Sequence, residues 1–268
     1  MPNPLTSPLA GPAPQEIFLL KAPLETVIAQ VRFSTVLRLR NESEVVEFQE
    51  RMRGDYPYFV PEVGQELFIE VTPTGPQARQ NSTNVWRFLS ADQKWRVTLG
   101  TEAISLESKA YTTRNDFVRR IAAVVERLQS VYAPEIITRT GLRYLSRIRA
   151  PEFERTSELL AAPFRGVLGT AMEASVEQTM SEALVRTDEG KLTLRWGVLP
   201  QGATIDPGLL EPLAEPSAVL DIDSFCPEQR LFRDTNVIEH FDGLAARAYA
   251  VFRSIVTDEF LRTYGGQV

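Results

Sequence analysis

The sequence predicts an α+β protein with helices packed on one face of antiparallel sheet. Three observations lead there. Two long stretches repeat apolar residues at helical spacing, and many of the other apolar segments alternate with a period of two. The order strand, short helix, several antiparallel strands, long helix then occurs twice in 268 residues. Two similar halves, 16–134 and 135–268, are therefore expected after a proline-rich flexible tail over 1–15, either as two lobes or as one continuous domain.

In the first half, "LETVIAQVRFS" places Val27, Ala29, Val31 and Phe33 on one face and Ile28, Gln30 and Arg32 on the other, a half-buried strand. "SEVVEFQERMR" reads as a short helix, with Asn41 or Ser43 as cap and Gly54 as its end. "DYPYFVPEVG" carries two prolines and reads as loop. The strands "ELFIEVTP", "NVWRFLS", "WRVTLG" and "AISLESKAY" follow, with "ADQK" as a turn. "TRNDFVRRIAAVVERLQSVYAP" is a helix whose stripe is Phe117, Ile121, Val124, Leu128 and Val131; Thr113 or Asn115 caps it and Pro134 stops it.

The second half opens with "IITRTGLRYLSRI" as a strand and "SELLAAPFRGVLG" as a helical stretch broken by Pro163. "EASVEQTMSEALVRT", the turn "DEG" and "KLTLRWGVLP" form a hairpin. A loop, "QGATIDPGLLEPLAEPS", leads to the strand "AVLDIDSF". The segment "NVIEHFDGLAARAYAVFRSIVTDEFLRT" reads as one closing helix, with Phe241, Leu244, Ala248, Val251, Ile255 and Glu259 along its inner side.

Composition is that of a soluble globular protein, 43% hydrophobic and 24% charged, with a formal net charge of -6. The acidic balance argues against a surface that coats nucleic acid or anionic lipid. The lone Cys226 forms no internal disulfide, no apolar run reaches bilayer length, and the N-terminus lacks a secretory pattern, so a cytoplasmic address is expected. His240 is the only histidine; it reads as a structural residue, as Cys226 reads as a buried thiol, although the two would make a nucleophile and base if the fold joined them. Phosphate-binding glycine loops, dinucleotide fingerprints, nucleophile elbows and clustered zinc ligands are all lacking. The tryptophans at 86, 95 and 196 read as core rather than as a base-stacking platform.

"TRTGLRYLSRIRA" carries Arg139, Arg143, Arg147 and Arg149. Gly141 in mid-run costs a helix about 1 kcal/mol, and the β-formers around it favour a strand. On a strand all four arginines share a face with Gly141 and Leu145, while Leu142, Tyr144 and Ile148 form the core face. Such arginines either hold an anion or pair with acids on neighbouring strands. Asp221 and Asp223 in "LDIDSF" share a strand face and are the acids expected to meet Arg143 and Arg147. Their alternative role is to hold a divalent metal such as magnesium or calcium.

The blocks "PLETVIAQVRF", "WRFLSADQKWRVTLGTEAISLESKAY", "RTGLRYLSRI" and "LDID" resemble those of a sporadically distributed, uncharacterised prokaryotic protein family. Ser146 stands where that family's usual form has asparagine. The resemblance spans nearly all of the chain after the tail. It implies a self-contained unit and no known activity or catalytic residue, and its patchy distribution fits mobile or defence-related loci.

The leading expectation is a non-enzymatic binding or interaction protein. Its ligand or anion site would use Gln30 and Arg32 on the first strand and Arg139, Arg143 and Arg147 on the counterpart strand. The partner would be another protein or a small anionic ligand, with a homodimer left open and no membrane contact. A second expectation is an enzyme on a phosphorylated substrate, with metal at Asp221 and Asp223 and arginines on the anion. The third is nucleic-acid binding through a local basic face.

Overall fold

The computed structural model describes residues 7–72 and 75–267, without the side chains of 63–83. The strands are β1 (Leu24–Phe33), β2 (Tyr58–Thr72), β3 (Gly75–Leu89), β4 (Trp95–Leu99), β5 (Ala103–Ser108), β6 (Ile136–Ile148), β7 (Thr179–Thr187), β8 (Gly190–Leu199), β9 (Ser217–Cys226) and β10 (Arg230–Leu231). The helices are α1 (Val46–Met52), α2 (Arg114–Tyr132), α3 (Thr156–Leu159), α4 (Ala162–Arg165), α5 (Val237–Ile255) and α6 (Asp258–Thr263). This is an α+β protein with a large antiparallel sheet, and its elements follow the same order in both halves. Hydrogen-bonded neighbours run β2-β3-β4-β5-β1-β6-β9-β8-β7, with β10 on β6. None of the described helices is long and apolar enough to cross a membrane.

The chain divides into two compact units. One holds 1–28, 141–227 and 239–268; the other holds 29–140 and 228–238. β1 and β6 each contribute to both.

In the unit built on 29–140, the alternation of β1 is realised: Ala29, Val31 and Phe33 are buried while Arg32 is exposed. Helix α2 buries Phe117, Ile121, Val124 and Leu128, as its spacing predicts, but Val131, expected on the same stripe, is half-buried and Tyr132 is buried instead. The Thr113 hydroxyl accepts from the Asp116 N–H and caps it. Aromatic pairs join helix to sheet: Phe48 of α1 meets Phe88 of β3 edge-on at 5.3 Å, and Trp95 of β4 meets Phe117 of α2 at 5.9 Å with the rings tilted by 30°.

Two expectations fail here. The short helix begins only at Val46, after two 3-10 turns, and neither Asn41 nor Ser43 caps it. The segment 58–64, read as loop on its prolines, belongs to β2. Strand β2 ends the pairing order, and an edge strand tolerates a residue such as Pro61 that has no N–H to give. The apolar face expected for "ELFIEVTP" lies outside the described residues.

In the unit built on 141–227, the inward face of β6, β8 and β9 supplies Ile148, Leu192, Leu194, Val198, Leu220 and Ile222. Against it pack Ala248, Val251 and Ile255 of α5 and Phe260 and Leu261 of α6. The single closing helix of the sequence reading is in fact two. Val256 bridges to Leu160, and Thr257 caps a new helix by accepting from the Phe260 N–H. Restarting the helix turns Glu259 away from the core, to an exposed bond with Arg155.

Tyr264 lies at the edge of this core, and burial, with the nearby Glu152 carboxylate, pushes its phenol up to about 12 from an ordinary 10.0. The unfolded chain therefore releases this proton first as pH rises. Stability contributed by the neutral phenol is complete below pH 10 and is lost as pH climbs to about 12. Chemical denaturation across that range is expected to show the decline, with Tyr264→Phe flattening its tyrosine-dependent part.

Candidate functional site

Strand β6 carries Arg139, Arg143 and Arg147 of the run, but it ends at Ile148, so Arg149 lies one residue past it rather than on the shared strand face. Leu142 and Ile148 are buried on one side, and Leu145 belongs to a second small apolar cluster with Leu199, Leu210 and Val219. Leu210 comes from the loop after β8, so that loop lies over the arginine-bearing face.

Asp221 of β9 is the centre of the charge network. It is 1% exposed, and both its oxygens are taken. Arg143 donates Nε to Oδ1 at 2.7 Å and Nη2 to Oδ2 at 2.9 Å, a planar fork on the carboxylate. Arg195 of β8, directly opposite Asp221 in the register, approaches Oδ2 to 2.9 Å. The remaining Nη1 of Arg143 donates to Asp206 in the loop at 2.9 Å. Glu182 of β7 faces Arg195 in register, at a longer 4.0 Å. Charges thus alternate as Glu182, Arg195, Asp221, Arg143, Asp206. Burial works against the charge on Arg143, but the bonds to Asp221 and then Asp206 outweigh it and raise its pKa above the ordinary arginine range.

Arg147 behaves differently. It was expected to meet an aspartate, yet it donates Nη1 to the backbone carbonyl of Glu211 at 2.6 Å. Its Nε and Nη2 are buried without a hydrogen-bond partner. Burial, with the like charge of Arg149 and against the pull of Glu25, lowers its pKa. Arg149 itself pairs with Glu25. The Thr26 hydroxyl adds a 3.4 Å bond to the Leu209 carbonyl. Asp206, Leu209 and Glu211 are therefore three points at which the loop is tied to the sheet, two of them by arginines of the run.

Comparison of the chain with protein-family models and with curated proteins gives no match. The site is accordingly read from its own chemistry. A metal at Asp221 and Asp223 would have to displace two guanidiniums from Asp221, and Asp223 has interactions of its own. Among the described residues, no group of three or more histidine, cysteine, aspartate or glutamate side chains is placed to hold a metal. The donor set thus does not fit a divalent cation.

The other candidates are dispersed. Gln30 accepts from Arg139 at a long 3.5 Å, and Arg32 is exposed on β1. The first-strand pair Gln30 and Arg32 belongs to one compact unit, and Arg143 and Arg147 belong to the other. Cys226 is buried and His240 half-buried. Trp86 and Trp95 are core residues, and the Trp86 indole donates to the Leu39 carbonyl at 2.8 Å.

Sequence reasoning missed a second buried network. Arg247 of α5 is 2% exposed. It grips Glu189 with Nε and Nη2 at 2.7 and 2.9 Å, and donates to the carbonyls of Pro8 at 2.9 Å and Gly11 at 2.7 Å. Asp188 accepts from the Gly11 N–H, and its own N–H donates to the Leu9 carbonyl. Over its described part, the segment expected to be a flexible tail is tied to the β7–β8 turn and to α5; residues 1–6 lie outside the described residues. No local motif marks this, because Arg247 and Pro8 are 239 positions apart.

Proposed function

We propose that the chain is a non-enzymatic interaction protein that binds a partner strand along the β2–β3 ribbon, and that this partner is a second copy of the chain. One observation carries the reading. β2 and β3 pair over all fifteen residues of each strand, from Tyr58↔Leu89 to Thr72↔Gly75, whereas β3 pairs with β4 only over Trp86–Leu89. Eleven of the fifteen rungs thus have no further strand beside them among the described residues. A two-stranded ribbon is marginal in water, and its free edges present unpaired backbone N–H and C=O groups. Strand addition satisfies both deficits, and a second copy brings edges of the same kind.

The engagement of Arg143, Arg195 and Asp221 with one another supports the non-enzymatic part of the reading. Their charges are spent on holding a loop to a sheet.

Sedimentation tests the proposal. The wild-type chain is expected to self-associate at micromolar concentration, and a variant with 64–82 replaced by a short turn is expected to remain folded and monomeric. A monomeric wild type, or a shortened variant that dimerises equally well, rules the reading out.

A further inference from the structure

A cavity of about 160 Å³ opens between the α3–α4 segment and strands β7 and β8. We propose that it is a binding site for a small organic acid, a carboxylate carried on one aromatic ring or a branched chain of similar size. The site does not depend on the β2–β3 ribbon, so its test and the sedimentation test fail separately.

Local sequence creates the space. Pro163 stands in the first turn of α4, and Gly166 ends that helix at φ 57. On the sheet side, Gly197 lets β7 come close: a Cβ there would lie 2.1 Å from the Thr179 carbonyl oxygen. The chain therefore breaks away from the sheet at Gly166, and the gap opens beside Trp196, while Gly197 keeps β7 close against β8.

The walls are mostly apolar, with the hydroxyl residues Thr156, Thr179 and Ser181 among them. The Trp196 indole donates Nε1–H to the Phe164 carbonyl at 2.9 Å, and the two rings meet edge to face at 5.4 Å. Leu160 and Leu168 add buried aliphatic surface. One cation stands among them. Arg165 lines the cavity and donates Nε to the Leu160 carbonyl at 2.8 Å. That bond anchors the guanidinium, and its terminal nitrogens make no hydrogen bond or ion pair to a described residue. With Nε taken, those two nitrogens remain as an end-on pair for a carboxylate.

Size limits the ligand. An apolar cavity of about 150 Å³ accommodates benzene, so one six-membered ring fits here and a fused pair does not. A rigid aromatic wall, aliphatic floor and single oriented cation match the general form of small-ligand sites, in which a few polar groups set orientation.

Benzoate is the probe, benzyl alcohol its neutral counterpart and 2-naphthoate its oversized one. Titrations of the full chain are followed by the Trp196 indole N–H resonance, with the Trp86 and Trp95 indoles as controls. Benzoate is expected to bind at about millimolar concentration or tighter and to shift the Trp196 signal, and 2-naphthoate is expected not to bind. Arg165→Met is expected to weaken benzoate about tenfold and to leave benzyl alcohol unchanged. Ser181→Leu and, from the other wall, Val167→Phe are each expected to abolish both, with thermal melts confirming that at least one remains folded. Benzoate binding that Arg165→Met leaves intact overturns the acid specificity. Absence of benzoate binding, or binding that survives both filling variants, overturns the site.

Discussion

Asp221→Ala is expected to destabilise the folded chain by about 3–5 kcal/mol, the range for breaking a buried ion pair from one side. That is a large part of the 5–15 kcal/mol that separates a typical native domain from its unfolded ensemble. The effect is large because Asp221 is 1% exposed and answers two guanidiniums. With the carboxylate gone, Arg143 keeps only Asp206, and Arg195 keeps only the distant Glu182. Arg195 is 29% exposed along its side chain and can turn toward water, so most of the loss comes from Arg143, at 16%. Urea denaturation measures it. The double variant Asp221→Leu with Arg143→Met is expected to recover part of the loss, because it removes the more buried guanidinium and leaves only Arg195 and Asp206, both able to turn toward water, without their partners. A loss below about 1 kcal/mol for Asp221→Ala would class the network with exposed surface pairs.

Arg247→Met is expected to cost a similar amount and to act on a different part of the molecule. Three nitrogens of one buried guanidinium serve Glu189 and the carbonyls of Pro8 and Gly11. Methionine keeps much of the packing volume but leaves a carboxylate and two carbonyls without their donor. Hydrogen exchange is expected to quicken across residues 9–17 well before it does in β8 or β9. Arg247→Lys should not rescue, since one ammonium cannot span a bidentate carboxylate and two separate carbonyls in a plane. Unchanged exchange over 9–17 would show that the segment is held by its apolar contacts, Leu9 and Ile17 against the core, rather than by Arg247.

What was legible from sequence was what local chemistry determines. The strand at 136–148 could be read because Gly141 disfavours a helix and side-chain parity sorts Arg139, Arg143 and Arg147 from Leu142 and Ile148. The partnership of Arg143 with Asp221 followed, since both lie on polar faces of strands. Helix α2 was legible from its stripe and from Thr113. The break at Val256 had a visible signal too: Thr257, Asp258 and Glu259 form a helix start, but the apolar stripe continued through them and masked it.

Contacts made at long range were not legible. Nothing near Arg147 announces that its partner is the carbonyl of Glu211, because any residue can offer a carbonyl. The polar stretch 75–83 lacks the alternation that marks a strand, and its pairing with β2 comes from the partner rather than from its own pattern. The cavity beside Trp196 arises where the chain turns away from the sheet at Pro163 and Gly166, and a turn of that kind leaves little trace in a hydrophobic pattern.

The grip of Arg247 on Pro8 and Gly11 also sets an order in time. Gly11 leaves the ribosome 236 residues ahead of the arginine that holds it. At about 5–20 residues per second that interval is roughly ten seconds to a minute. Throughout it the carbonyls of Pro8 and Gly11 lack this donor, and over the last 58 residues Glu189 waits for its cation as well. Completing this network therefore requires an encounter between an early and a late stretch of the chain, and a factor that shields a nascent chain would find those early residues still available to bind.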